Sequence, residues 1–539
     1  MKPFNIFRAP VYARHGLACS SQPLAAAVGR DILRAGGNAI DAAVAMAAMV
    51  NLTEPMMNGL GGDCFALVRH NGEIFALNGS GRSGSRCTAE AIRNQGHTTM
   101  PKDGALTVSV PGALDGYLAL HERFGTLDLA DIVAPVLSYA EEGYPVGLKI
   151  SHVWQWGASK LQHFDTTPDA YLPGGVPPRA GQIFKQKELA ATWRRIGKEG
   201  RSALYAGSVR DAILEVVNSR GGFLEASDFD APHAEWVEPI RAKYRGHTVL
   251  ELPPNGQGIV VLEALRILEA YDLKAMFETD SAGASHLILE ALKLAFADAE
   301  RYVADPMFFE TPVETLLSDL YVDQRRSLIC NNVALDNPVA GRIYGDTTYL
   351  TVMDKDRNAV SLITSISDVF GSGLIAPGTG VILHNRGADF ELQDGRPNVA
   401  APGKRVRHTI LPSMLLNEAG DFRMTFGCMG ANMQPQGQVQ ILVNLLDRRM
   451  NLQEAIDAPR VRVLDGKRIS VEPHADKSLA EKLQAMGHDV SHGEEIPKDW
   501  EAPHDFMRSF EGSAQAIELS RAALCGASDP RLDGIAVGY

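Results

Sequence analysis

A mixed α/β fold is predicted for this 539-residue chain. Helix-period and strand-period segments alternate near its start, and a strand hairpin reappears far downstream at residue 347. Ser21 is placed to cap a helix running through Leu24 to Ala35, and Gly36-Gly37 ends it. A second helix follows through Ala39 to Met49. Phe65 to Val68 and Ile74 to Leu77 read as short strands around a His70-Asn71-Gly72 turn. Helical patterns dominate from Leu114 to about Val217, and Leu287, Ala291, Leu294, Ala295 and Ala299 form another amphipathic stripe. From Asp305 to Asp346 the periodicity weakens around Pro306, Pro312 and Pro338, the pattern of an exposed tail. Strand character then returns in GDTTYLTVMDKDRNAVSLITSISDVFGSG. It alternates through Thr347, Tyr349, Thr351 and Met353, turns at Asp354 to Asn358, and comes back through Ala359 to Ile366. A helix is expected near Leu452 to Ala458. The sequence shows no internal repeat and no low-complexity tract.

Composition narrows the functional classes. An apolar share of 45% and a charged share of 22% are those of an ordinary globular protein. A net charge of -13, with no basic run to reverse it, argues against a nucleic-acid partner. Cys19, Cys64, Cys87, Cys330, Cys428 and Cys525 lie far apart without metal-ligand spacing, so free thiols are expected. MKPFNIFRAPVYARHG lacks the apolar core of a secretory signal, and no stretch approaches the ~20 apolar residues of a membrane helix. A cytoplasmic protein with no membrane partner is the expectation. GSGLIA at Gly371 to Ala376 mimics a dinucleotide fingerprint, but it follows a hairpin and runs into Pro377-Gly378-Thr379-Gly380 rather than a helix. No P-loop, HExxH or GxSxG motif is present. No cofactor and no metal are expected.

Several segments, taken in order, carry a resemblance. GLACSSQPLAAAVGRDILRAGGNAIDAAVA, LTEPMMNGLGGDCFALV, VPGALDGYLALHERFG, EWVEPIRAKYRGHTVLELPPNGQG and HLILEALKLAFADAERYVADP come first. The 347 hairpin, FGSGLIAPGTGVILHNRGADF and FGCMGANMQPQG follow. From Gly16 to Val463 the chain resembles the γ-glutamyltransferase family of self-cleaving N-terminal nucleophile hydrolases. The resemblance implies a four-layer αββα sandwich, with residues 1–346 as large subunit and 347–539 as small subunit of one intertwined domain. It also implies cleavage between Asp346 and Thr347. Thr347 then becomes an N-terminus whose α-amine, of pKa about 7.7–8.0, serves as base for its own weakly nucleophilic hydroxyl.

Further roles carry over position by position. The family's orienting hydroxyl falls on Ser365 and its nearby asparagine position on Ser367, which offers no amide. Solvent-facing serines are the alternative for both. The Gly-Gly pair of the oxyanion hole falls on Gly430 and Ala431, where alanine keeps its N–H; a simple tight turn would equally favour Gly430. At the substrate end the loop reads His384-Asn385-Arg386-Gly387-Ala388-Asp389. Asp389 matches the family's residue for an α-amino group, while Arg386 replaces its glutamine. Arg386 either neutralises Asp389 or offers a fork to a substrate carboxylate. The family's paired serines fall on His408-Thr409, and Arg82 lies near its carboxylate-binding arginine. The loop from Phe390 to Lys404 is short for a member with a lid.

The resemblance thus implies an intact catalytic half beside a rewritten recognition half. The expected activity is amide hydrolysis, with acyl transfer as a companion, through an acyl-Thr347 intermediate. The expected substrate is a small carboxylate-bearing amide, γ-glutamyl or oxamate-like. The alternatives are an acylase on bulkier cephalosporin or glutaryl-type amides, and an uncleaved member without activity.

Overall fold

Two seven-stranded antiparallel sheets face each other around the strand that opens at Asp346. The computed structural model describes residues 8–164, 166, 168–336, 346–491 and 511–539. One sheet runs Ile535–Gly538, Leu17–Ser20, Asp346–Met353, Ala359–Ser367, Asp63–His70, Glu73–Gly79, Glu235–Val237. The other runs Val11–Ala13, Ala523–Ser528, Ser513–Ser520, Phe422–Met429, Ser413–Leu416, His247–Glu251, Ile240–Tyr244. Helices Pro23–Arg34, Ala39–Thr53 and Ala113–Phe124 cover the first sheet. Gly258–Leu268, Ser281–Tyr302 and Met433–Leu446 lie in the layer on the far side of the second. That is the αββα order. Each sheet mixes strands from before and after Thr347, so neither stretch could close its sheets alone.

The mutual facing explains a burial pattern that strand alternation does not anticipate. All nine residues of Ala359–Ser367 are buried, because helices cover one face and the opposing sheet covers the other. Across the gap the Thr351 and Thr425 hydroxyls bond at 2.7 Å. Gly427 leaves room there, since a Cβ would lie 2.4 Å from the Tyr349 ring.

Local chemistry sets the turns. Asn71 and Gly72 both take positive φ, the two-residue hairpin form that fits the right-handed strand twist. In the 347 hairpin, Asp354 accepts from the Asp356 and Asn358 amides and, through its other oxygen, from the Ala39 amide. The turn is thereby tied to the start of the alanine-rich helix Ala39–Thr53, itself held by an Asn38/Asp41 capping box. That helix is buried along its whole length.

Two expectations are corrected. The first helix starts at Pro23 after Gln22, without a side-chain cap, so Ser21 does not cap it. Proline at the first helical position needs no amide partner, and Gln22 instead donates to Glu54. The region after Asp305 is not simply a tail: helices Val313–Leu316 and Asp319–Arg326 form there, the second capped by Ser318. Residues 337–345, the approach to Asp346, lie outside the described residues. The six cysteines are free, and five are buried. GSGLIA leads to the small strand pair Ile375–Ala376 and Val381–Ile382, with no helix behind it. No helix among the described residues is long and apolar enough to cross a membrane.

Candidate functional site

A bulge at the beginning of the strand aims Thr347. Asp346 pairs with Ser367 and Thr348 with Thr364, so Ser365 and Ile366 together oppose Thr347. Such a bulge turns a side chain out of its regular alternation. Here it directs the Thr347 hydroxyl to the Ser365 hydroxyl at 3.1 Å. The Gln434 amide donates to Thr347 Oγ1 at 3.3 Å, while its oxygen accepts from the Leu411 N–H. Thr347 is 1% exposed and Ser365 is fully buried, so neither serine-site alternative of a solvent-facing hydroxyl describes Ser365; Ser367 is buried as well. Ser367 contributes its backbone N–H to Ser365 Oγ at 2.9 Å, from a positive-φ conformation.

Gln434 sits in the first turn of helix Met433–Leu446, and Gly430-Ala431 lead into that helix. Both have positive φ, +113° and +50°. Their carbonyls accept from the Met433 and Gln434 amides. The turn expected to supply oxyanion donors is therefore one helical turn from a residue that touches Thr347.

A buried charge cluster lies on the other side of Ser365. Arg386 is 2% exposed; one nitrogen donates to Ser365 Oγ at 3.0 Å and another to Thr409 Oγ1 at 2.9 Å. Its carboxylate neighbours are Asp63 and Asp389, each at 3.9 Å. Asp63 lies directly across from Ser365 in the sheet and accepts from the Gly81 amide and from His408 Nε2 at 3.0 Å. Burial opposes ionisation of Asp63, but His384, His408 and Arg386 hold its carboxyl below the ordinary range. Burial, and then the Arg386 charge, push His408 down to about 4. A neutral His408 donates from Nε2 to Asp63 and accepts at Nδ1 from the Ile410 amide. His384 is lowered chiefly by burial, and its Nδ1 accepts from the Arg386 amide.

Beyond Thr409 a shallow cleft is lined by Gln257, Phe296, Glu300, Asp389, Arg407, Thr409 and Asn432. Arg386 stands behind this lining, not in it. Arg82 joins neither group: its guanidinium is held by Asp305, the Gly403 carbonyl and Glu235. The sequence signals named neither Gln434, Asp63 nor Arg407. Gln434 and Asp63 fall inside matched motifs, FGCMGANMQPQG and GLGGDCF, where nothing marks the first as a Thr347 contact or the second as a partner of His408 and Arg386.

Behind the strand, Thr348 donates to Glu54, and Asn58 donates to Thr348 at 2.7 Å. Burial pushes the Glu54 carboxyl up to about 7. A carboxyl raised on folding binds its proton more tightly in the native state. Stability is therefore greatest below about 4.5, falls as pH rises to about 7, and is flat above. Glu54→Gln is expected to remove a pH-dependent loss on the order of 3 kcal/mol across that window. Melting temperatures of both proteins from pH 4 to 8 check this; parallel curves would place the ionisation elsewhere.

Fold and site together define an N-terminal nucleophile amidohydrolase. The gamma-glutamyltranspeptidase family pattern matches residues 25–539, and the chain belongs to that family of self-processing amidohydrolases. It is 36% identical over 534 residues to a glutathione hydrolase-like YwrD proenzyme of Bacillus subtilis, covering 97% of this chain and 98% of that protein. It is 32% identical over 537 residues to an oxamate amidohydrolase proenzyme of Klebsiella pneumoniae, covering 97% and 98%. The crystal structure of cephalosporin acylase from Bacillus halodurans superposes with a TM-score of 0.91 at 38% identity, covering 100% of this chain and 98% of that one.

Proposed function

We propose that the chain splits itself between Asp346 and Thr347 and then hydrolyses a small carboxylate-bearing amide through an acyl-Thr347 ester. In self-cleavage Thr347 Oγ1 attacks the Asp346 carbonyl carbon, forming an ester as the C–N bond breaks. The hydroxyl proton passes to the departing amine, and water then hydrolyses the ester. In turnover the freed amine takes the hydroxyl proton and delivers it to the leaving amine. Gly430 and Ala431 would supply N–H groups to the oxyanion of each step.

One observation carries the substrate class. Arg407 lines the cleft beside Thr409, and its guanidinium makes no hydrogen bond or ion pair among the described residues. A cation facing a cleft without a partner suits a carboxylate, while Asp389 and Glu300 in the same lining suit an ammonium or amide N–H. Arg407 would thus make the carboxylate contact that the sequence offered as one alternative for Arg386. Likeness to a cephalosporin acylase supports a second reading, cleavage of bulkier side-chain amides.

A panel on processed enzyme decides between them: oxamate, short dicarboxylic monoamides, their neutral ester-amides, γ-glutamyl anilide and a glutaryl amide of a bulky amine. Arg407→Leu should lose about ten- to a hundredfold in kcat/KM on the acids while sparing the neutral amides. Equal losses on both would remove the carboxylate reading. Preference for the bulky amine would establish the second, and adding an amine acceptor measures transfer against hydrolysis.

A further inference from the structure

Three donors converge on one buried hydroxyl beside the reacting threonine. Ser365 Oγ receives the Thr347 hydroxyl at 3.1 Å, the Ser367 amide at 2.9 Å and the Arg386 guanidinium at 3.0 Å. A guanidinium and a backbone amide can only donate, so Ser365 Oγ accepts from both, and that fixes where its oxygen stands beside Thr347. We infer that Arg386 is a positioning residue for the nucleophile: it orients Ser365 toward Thr347 and brings a positive charge to within one hydroxyl of the reacting oxygen. Thr409, Asp63 and Asp389 hold the guanidinium in place. The inference rests on Thr347 as the reacting residue and is independent of any substrate.

The placement is built rather than incidental. Asp63 is the cross-strand partner of Ser365, so the sheet register itself brings its carboxylate under the Ser365–Arg386 contact. Gly62 beside it lets the strand approach, since a Cβ would lie 2.3 Å from the Ser365 carbonyl oxygen. Among the described residues, charged and titratable groups facing Arg386 include Asp63 from the sheet, His408, and His384 and Asp389 from its own loop. Both imidazoles are neutral near pH 7, because burial lowers them. The cation therefore offsets two carboxylates. Without it, the Thr347 amine of the split protein faces uncompensated negative charge, which favours the ammonium and weakens the base. Without the Asp63 carboxylate the reverse holds.

Two substrate-free readouts test this on the full chain. The first is the rate of self-cleavage on denaturing gels. The second is the pKa of the Thr347 amine, from the pH dependence of its carbamylation by cyanate, followed by mass of the smaller fragment. Arg386→Gln should slow self-cleavage about tenfold and raise the amine pKa by about one unit. Asp63→Asn should lower that pKa, and Arg386→Lys, which keeps the charge, should keep it near the parent value. A purely structural role would not move the two variants in opposite directions. An unchanged amine pKa in Arg386→Gln, or unchanged self-cleavage, overturns the inference. Loss of amide hydrolysis alone, with both readouts normal, also overturns it and returns Arg386 to the substrate side.

Discussion

Thr347→Ala is expected to accumulate as a full-length, folded chain that neither splits nor hydrolyses an amide. The substitution removes the hydroxyl from between Ser365 and Gln434 and leaves the bulge and sheet pairing in place. Two weak buried hydrogen bonds are lost, at about 1 kcal/mol each, against a folding free energy of about 5–15 kcal/mol. The chain should therefore fold, with a melting temperature within a few degrees of the parent. Amide hydrolysis, by contrast, should fall on the order of 10⁴-fold or more, since neither a nucleophile nor a free amine remains. Thr347→Ser keeps the hydroxyl but loses the methyl that restricts its rotamer, so it should split more slowly and still turn over. Denaturing gels give the split, and terminal sequencing of the smaller fragment should read Thr-Thr-Tyr-Leu-Thr. Any other start, or normal cleavage in the alanine variant, would move the chemistry to another residue.

The hairpin around Thr347 was legible because its signals are local: β-branched alternation and an Asp/Asn turn between two strand segments. The closeness of Thr347 and Ser365 was legible only through resemblance, since it depends on a bulge that alternation does not reveal. The charge cluster was half legible. Arg386 and His408 stand out as substitutions for neutral residues, yet their partner Asp63 lies more than three hundred residues away in sequence and meets them only through sheet register. For the same reason the sequence left Arg386 between neutralising Asp389 and meeting a substrate carboxylate, while its bonds to Ser365 and Thr409 carried no signal. Arg407, one residue from His408, carried no signal. An arginine with no partner among the described residues becomes informative only when its neighbours are known. The helices Val313–Leu316 and Asp319–Arg326 were hidden by prolines that read as breakers, of which Pro312 here immediately precedes the first helix.

Gly430→Ala is expected to cost on the order of 10²–10³-fold in kcat while the protein stays folded. At φ +113° an L-residue is strained whatever space surrounds it, and little space does. A Cβ on Gly430 would lie 3.0 Å from the Gly512 Cα and 3.4 Å from the Met433 Cβ. Gly512 cannot easily recede, because buried Arg460 grips the Glu511 and Gly512 carbonyls at 2.8 and 2.9 Å. Relief must come from rotating the Gly430-Ala431 peptide units, and that rotation would redirect the N–H groups proposed to hold the oxyanion. Ala431 offers the control. Held at φ +50°, it already bears the strain of a side chain in the left-handed region, so Ala431→Gly relaxes the backbone without redirecting the turn. Activity should survive that change. Pre-steady-state acylation and steady-state kcat on the best amide of the panel measure both variants. Full activity in Gly430→Ala would make the turn a connection between strand and helix and place the oxyanion donors elsewhere; loss in both would point to the docking of helix Met433–Leu446, whose first two amides bond the Gly430 and Ala431 carbonyls.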